Sequence, residues 1–233
     1  MTIRTADGDM PAYRATPTGS PRGGVVVVQE AFGITSHIED VAGRFAAAGY
    51  LALAPALFHR QGSPVLSYAD MDPVRDVMAK LTGEGLRMDV AATLAALAAD
   101  GQPARRCAVV GFCMGGSVTV AAAAEHALGA AVTFYGGGVR EGRFGLAPLL
   151  ELVGELHTPW LGLYGDRDTG IPAEQVEELR AAAAGSGVPT EVVRYPEAQH
   201  GFGCDDRPAV FDPTASADAW QRTFAWLDQH LRR

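Results

Sequence analysis

Four stretches of this 233-residue chain carry side chains that could act together chemically. The first is Gly111-Phe112-Cys113-Met114-Gly115-Gly116, where an apolar strand pattern turns into an alanine-rich helix pattern. A residue at the apex of such a corner takes a strained backbone conformation, so the positions two before and two after it have little room for a side chain. Glycine fills both. The helix that follows directs its free N–H groups and positive dipole end at the Cys113 sulfur, which favours a thiolate. Taken alone, the same five residues also describe a glycine-rich turn around an inert thiol. A thiol with a free pKa of about 8.5 needs a base, and a histidine base needs a carboxylate on its other ring nitrogen to fix the tautomer and stabilise the imidazolium. Glu197-Ala198-Gln199-His200-Gly201-Phe202 offers the base, and Gly165-Asp166-Arg167-Asp168 offers the carboxylate, with Asp166 and Asp168 both eligible. Glu30, at the end of the valine run 25–28, is a further acid. The chemistry these types support is acyl transfer through a thioester. Its oxyanion would be held by the N–H groups of Met114, just after the sulfur, and of Ala31, just after Glu30.

The elements that must position these residues follow from hydrophobic period. Residues 2–5 and 10–15, separated by Asp7-Gly8-Asp9, predict a hairpin at a sheet edge. The apolar run at 25–29 predicts a strand buried on both faces, and further strands are expected at 50–54, 107–112, 130–135, 159–165 and 191–195. Helical periodicity is expected over 36–48, 70–81, 86–99, 114–124, 173–184 and 216–231, and 136–157 reads as a loose segment. Strand and helix alternate, so the expected fold is α/β, a mostly parallel central sheet with helices on both faces, in a single domain over 1–233. In such a sheet ligands sit beyond the carboxyl ends of the strands, where Glu30, Cys113, Asp168 and His200 all fall.

Nucleophile, acid and base in that chain order match the α/β-hydrolases. From about residue 10 to 231 the chain resembles the dienelactone hydrolase family, on the strength of Gln29-Glu30-Ala31-Phe32-Gly33, the elbow 111–116, Gly165-Asp166-Arg167-Asp168 with Ile171-Pro172, and Glu197-Ala198-Gln199-His200-Gly201-Phe202. The resemblance implies an α/β-hydrolase fold and hydrolysis of a small ester or lactone (carboxymethylenebutenolidase-like). It implies Cys113 as nucleophile, His200 as base and Asp168, placed before the Ile-Pro pair, as the acid. Glu30 would contact the resting thiol. Members acting on dienelactone hold its carboxylate with two arginines; here Met71 and Cys204 stand at those places. Arg75 or Arg60 is the expected substitute, with Phe32, Phe112, Tyr135 and Phe202 as candidate pocket walls.

Composition bounds the alternatives. A net charge of −8 without a basic cluster argues against nucleic acid, and no apolar run approaches the ~18 residues of a membrane span. The N-terminus has no signal-like apolar core, so a cytoplasmic location is expected, and no heptad points to more than a monomer. Three cysteines show neither disulfide nor zinc spacing; Cys107 is expected to be inert core, and neither metal nor organic cofactor enters the expected chemistry. His37, His126, His157 and His230 read as surface or helix-end residues. The competing readings are a redox sensor pairing Cys113 with Cys204, a thioesterase or amidase using the same triad, and a Cys-dependent amidotransferase, which would carry His-x-Glu where this chain has His200-Gly201-Phe202.

Overall fold

The computed structural model describes residues 1–231. Its strands are β1 (Thr2–Thr5), β2 (Gly8–Ala15), β3 (Gly24–Val28), β4 (Leu51–Pro55), β5 (Cys107–Phe112), β6 (Ala130–Phe134), β7 (Trp160–Gly165) and β8 (Thr190–Tyr195). They form one sheet in the order β1-β2-β4-β3-β5-β6-β7-β8. The expected edge hairpin is present, β1 antiparallel to β2, and β2 continues it by pairing antiparallel with β4. Every pairing from β4 through β3 to β8 is parallel. Sequential strands lie on opposite sides of β3, so the order reverses there. That reversal opens a crevice at the carboxyl ends of β3 and β5.

The helices are α1 (Ser36–Ala47), α2 (Asp72–Met78), α3 (Gly83–Ala99), α4 (Met114–Glu125), α5 (Leu149–Leu152), α6 (Ala173–Ala183) and α7 (Pro213–His230). The valine run shows how both faces are covered. Val25 and Val27 share a core with Ile38, Val41 and Phe45 of α1 and Trp220 and Leu227 of α7, while Val26 and Val28 face Leu86, Val90 and Leu97 of α3. Each of these valines is fully buried, worth ~1.5–3 kcal/mol of transfer free energy as an upper figure. Two helices begin three residues before the apolar period does. Thr82 accepts from the Gly85 amide at 3.1 Å, and Asp212 accepts from the Thr214 and Ala215 amides at 3.0 Å. These caps set the starts of α3 and α7. The segment 136–157, expected to be loose, contains α5 and a following 3-10 turn, Val153–Glu155. Leu149 and Val153, both buried against the sheet core, hold it. No helix among the described residues is long and apolar enough to cross a membrane.

Candidate active site

β5 ends at Phe112 and α4 starts at Met114, leaving Cys113 alone at the corner with φ 55° and ψ −116°. Its amide donates to the Phe134 carbonyl at 3.0 Å, which ties the corner to β6. The flanking glycines are required by close approach. A Cβ on Gly111 would lie 2.0 Å from the Gly115 carbonyl oxygen, and one on Gly115 would lie 2.3 Å from the Val28 oxygen. The backbone at the apex is therefore strained and held there by packing that only glycine permits.

The corner presents Cys113 to residues from two other strand ends. Cys113 Sγ is 3.1 Å from His200 Nε2, after β8, and His200 Nδ1 is 2.6 Å from Asp168 Oδ2, after β7. Asp168 is buried, and its other oxygen accepts from the amides of Gly170 at 2.8 Å and Ile171 at 3.1 Å. Three acceptor interactions fix the carboxylate, which in turn fixes the imidazole. Burial alone would pull the His200 pKa down, yet the negative sulfur and the Asp168 carboxylate outweigh it and push it up to about 10. The imidazole beside the sulfur is thereby favoured in its protonated form. Asp166, the alternative acid, is instead bound by Arg194 through Nε at 2.6 Å and Nη2 at 2.8 Å.

Ala31 and Met114 stand beside Cys113 on the pocket wall. Neither backbone N–H has a protein acceptor among the described residues. Glu30 is almost fully buried, and its Oε1 accepts from the Tyr135 hydroxyl at 3.4 Å. The contact expected between Glu30 and the resting thiol is replaced by this one, because the sulfur is turned toward His200. Tyr135 follows β6 with φ 42°, and its ring centroid lies 5.1 Å from that of His200.

The pocket above Cys113 has a volume of about 750 Å³. Phe32, Met71, Val74 and Met78 supply apolar wall, and Arg75, Arg143 and Arg207 bring positive charge. Among the expected substrate contacts, Phe32 and Arg75 are in place; Arg75 is exposed and pairs with Asp72 at 2.8 Å. Arg60 is not at the pocket. It grips the buried Asp89 with both terminal nitrogens, at 2.8 and 3.0 Å, and Asp7 with Nε at 2.7 Å, while His59 joins the same carboxylate at 3.1 Å. That cluster anchors the loop after β4 to α3. Tyr135 and Phe202 are also displaced from the expected wall. Both are fully buried, packed edge to face at 5.3 Å, and Phe112 stacks on Phe134 at 4.5 Å in the same core.

Three pocket or near-pocket residues escaped the sequence reading. Arg207 lies over the rings of Phe32 at 5.4 Å and Tyr68 at 5.5 Å, and Arg143 sits in the strained turn with Phe144, φ 58°. Neither guanidinium has a carboxylate partner among the described residues. His37, expected at the surface, is buried, with Nδ1 at 2.9 Å from Asp205 Oδ1. Pairings 168 residues apart leave no local pattern to read. Cys107 is core as expected, and burial pushes its thiol up to about 11.

Comparison with known proteins agrees with this architecture. A family model described as dienelactone hydrolase family matches residues 10–231. A Yersinia pestis protein named "Putative carboxymethylenebutenolidase" is 38% identical over 98% of this chain and 87% of its own. A protein of the same name from Escherichia coli K12 is 36% identical over 98% and 85%. A Klebsiella pneumoniae crystal structure named as a "Putative Dienelactone Hydrolase" superposes with a TM-score of 0.90 at 37% identity, covering 98% of this chain and 97% of that one. With that match over nearly its full length, on an α/β-hydrolase sheet, the chain belongs to the dienelactone hydrolase family.

Proposed function

We propose that this hydrolase cleaves a small ester or lactone through a thioester on Cys113, with His200 and Asp168 completing a triad. The observation that carries the reading is the contact line Asp168–His200–Cys113, at 2.6 and 3.1 Å, at the mouth of a pocket built on strand ends. The sulfur attacks the carbonyl carbon, and the oxyanion formed takes hydrogen bonds from the Met114 and Ala31 amides. Collapse expels the alkoxide, which takes the proton from His200 Nε2. A water then gives a proton to Nε2 as its oxygen attacks the thioester, and the acid leaves with the thiol restored. Glu30 lies behind the reacting groups, held by the Tyr135 hydroxyl.

The substrate class follows from the walls. Arg207 and Arg143, whose guanidinium groups meet no carboxylate among the described residues, suit an acyl group bearing its own anion, against the apolar side formed by Phe32 and Val74. The names borne by the relatives, carboxymethylenebutenolidase and dienelactone hydrolase, point the same way. Cys204 has the wrong character for a resolving thiol: it is fully buried, and burial pushes it up to about 12. Three free cysteines suit a reducing compartment, in keeping with a cytoplasmic, monomeric enzyme of one domain.

The test is turnover of p-nitrophenyl acetate and of a panel of lactones with and without a carboxylate. Iodoacetamide and Cys113→Ala are expected to abolish turnover. Arg207→Ala is expected to raise KM for the charged lactones and leave the neutral ones unchanged. Turnover that survives Cys113→Ala would refute the nucleophile, and equal losses on charged and neutral substrates would refute the anion clamp.

A further inference from the structure

Beside the triad, but outside it, three buried side chains converge, and two of them carry a polar atom without a partner. Glu30 follows β3, His37 lies in the first turn of α1 and Cys204 follows the His200 turn. All three are essentially inaccessible to solvent. Glu30 Oε2 and His37 Nε2 are both buried without any hydrogen-bond partner. Orphaned buried polar atoms cost free energy, on the order of 1–3 kcal/mol each, and a ligand bound by both residues would relieve that cost.

One ligand atom from each residue lies within 4.8 Å of the other two. A point therefore exists no more than about 2.8 Å from all three (4.8/√3), and a contraction of about half an ångström would bring them to zinc-like bond lengths of ~2.0–2.3 Å. The second shell is also in place. His37 Nδ1 is hydrogen-bonded to Asp205 Oδ1 at 2.9 Å, the carboxylate contact that orients a metal-binding imidazole through its other nitrogen, here the unpartnered Nε2. Arg44 in turn holds the other Asp205 oxygen. On the remaining side the Tyr68 hydroxyl lies 3.8 Å from Cys204 Sγ. Tyr68 belongs to the small separate cluster with Phe32 and Val74, so the roof of this site is packed independently of the main core.

We infer that Glu30, His37 and Cys204 form a binding site for a soft divalent cation of the zinc class, with Asp205 orienting the histidine. Carboxylate, imidazole and thiolate make a donor set suited to Zn²⁺ or Cd²⁺ and not to Mg²⁺ or Ca²⁺. Binding exchanges the Cys204 thiol proton, released to water, for the metal–sulfur bond. The fourth coordination position is left for water. This site is independent of the proposed triad, and its test is carried out without the reactive sulfur.

The experiment titrates Cd²⁺ into the Cys113→Ala protein, following heat by calorimetry and the thiolate-to-cadmium charge-transfer band in the ultraviolet. One equivalent is expected to bind with the band present, and Mg²⁺ is expected not to compete. Adding Cys204→Ser is expected to remove the band, Glu30→Gln to weaken binding at least tenfold with the band kept, and Asp205→Asn to weaken it about 10- to 100-fold. Circular dichroism of each variant identifies any that fails to fold, in which case the other two decide. Absence of binding to Cys113→Ala overturns the inference, as does a band that persists in Cys113→Ala/Cys204→Ser, or affinity unchanged by Glu30→Gln and Asp205→Asn together.

Discussion

Replacing Asp168 with Asn changes one atom's chemistry while keeping the shape of the side chain. Asp168 Oδ1 accepts from the Gly170 and Ile171 amides, so the Asn carbonyl oxygen takes that position and the NH₂ group is forced toward His200 Nδ1. Nδ1 must then accept, which moves the ring proton to Nε2 in the neutral form and withdraws the stabilisation of the imidazolium opposite Cys113. Loss of a charge-assisted bond is worth ~1.5–3 kcal/mol, or about 10- to 150-fold in rate. The reversed tautomer adds to this, toward the roughly 10⁴-fold seen for the same change in a serine triad. Between about 10² and 10⁴ in kcat/KM, some 3–5.5 kcal/mol, is expected. The assay is p-nitrophenyl acetate hydrolysis together with the rate of iodoacetamide alkylation, and both should fall. The melting temperature should change little, since the two amide bonds persist. Asp166→Asn is the paired control, because Asp166 is spent on Arg194 and should leave kcat/KM within about twofold. Full activity in Asp168→Asn, or a larger loss in Asp166→Asn, would refute the assignment of the acid.

Arg60→Ala is expected to leave turnover intact while destabilising the fold by about 3 kcal/mol, because it strips the buried Asp89 of its bidentate partner and leaves only His59; an unchanged urea midpoint would contradict this. The pH dependence has a defined sign. The His200 pKa is raised from 6.5 to about 10, so the stability its pairing contributes is complete below about pH 6.5 and is lost as pH rises through 10. Turnover should fall over the same alkaline range, as the imidazolium that protonates the leaving group disappears; a flat kcat profile to pH 11 would contradict it. Gly115→Ala sets a Cβ against the Val28 and Gln29 carbonyl oxygens at 2.3 and 2.6 Å and should cost at least ~1–3 kcal/mol with loss of activity, read by denaturant melt and assay; wild-type values for both would show the elbow to be less confined than it is described.

The elbow, the strand ends and the chain order of cysteine, aspartate and histidine were legible because they rest on local rules. Glycine spacing reports a strained corner, an apolar run of five reports a strand buried on both faces, and residues just past such strands face one rim. What was not legible is where long side chains reach. Arg60 lies in a loop after β4 and was expected over the pocket, but Asp89 on α3 and Asp7 on the edge hairpin capture it from below. His37 looked like a helix-start residue on a solvated turn, yet α1 lies against the sheet so that its ring enters the interior and meets Asp205. Arg207 carried no motif at all, and only its position over Phe32 and Tyr68 brings it to the pocket.

By itself the sequence determined the alternation of strand and helix, the glycine-confined corner at Cys113 and the order in which sulfur, carboxylate and imidazole arrive at the sheet rim, all of which depend on backbone sterics and hydrophobic period within a few residues. Only the tertiary structure decided that Asp166 goes to Arg194, that Glu30 turns to Tyr135 while the sulfur turns to His200, and that Glu30, His37 and Cys204 meet in one buried place. A carboxylate or guanidinium pairs with whichever partner packing brings within about 3 Å, and that choice is set by contacts between segments tens to hundreds of residues apart.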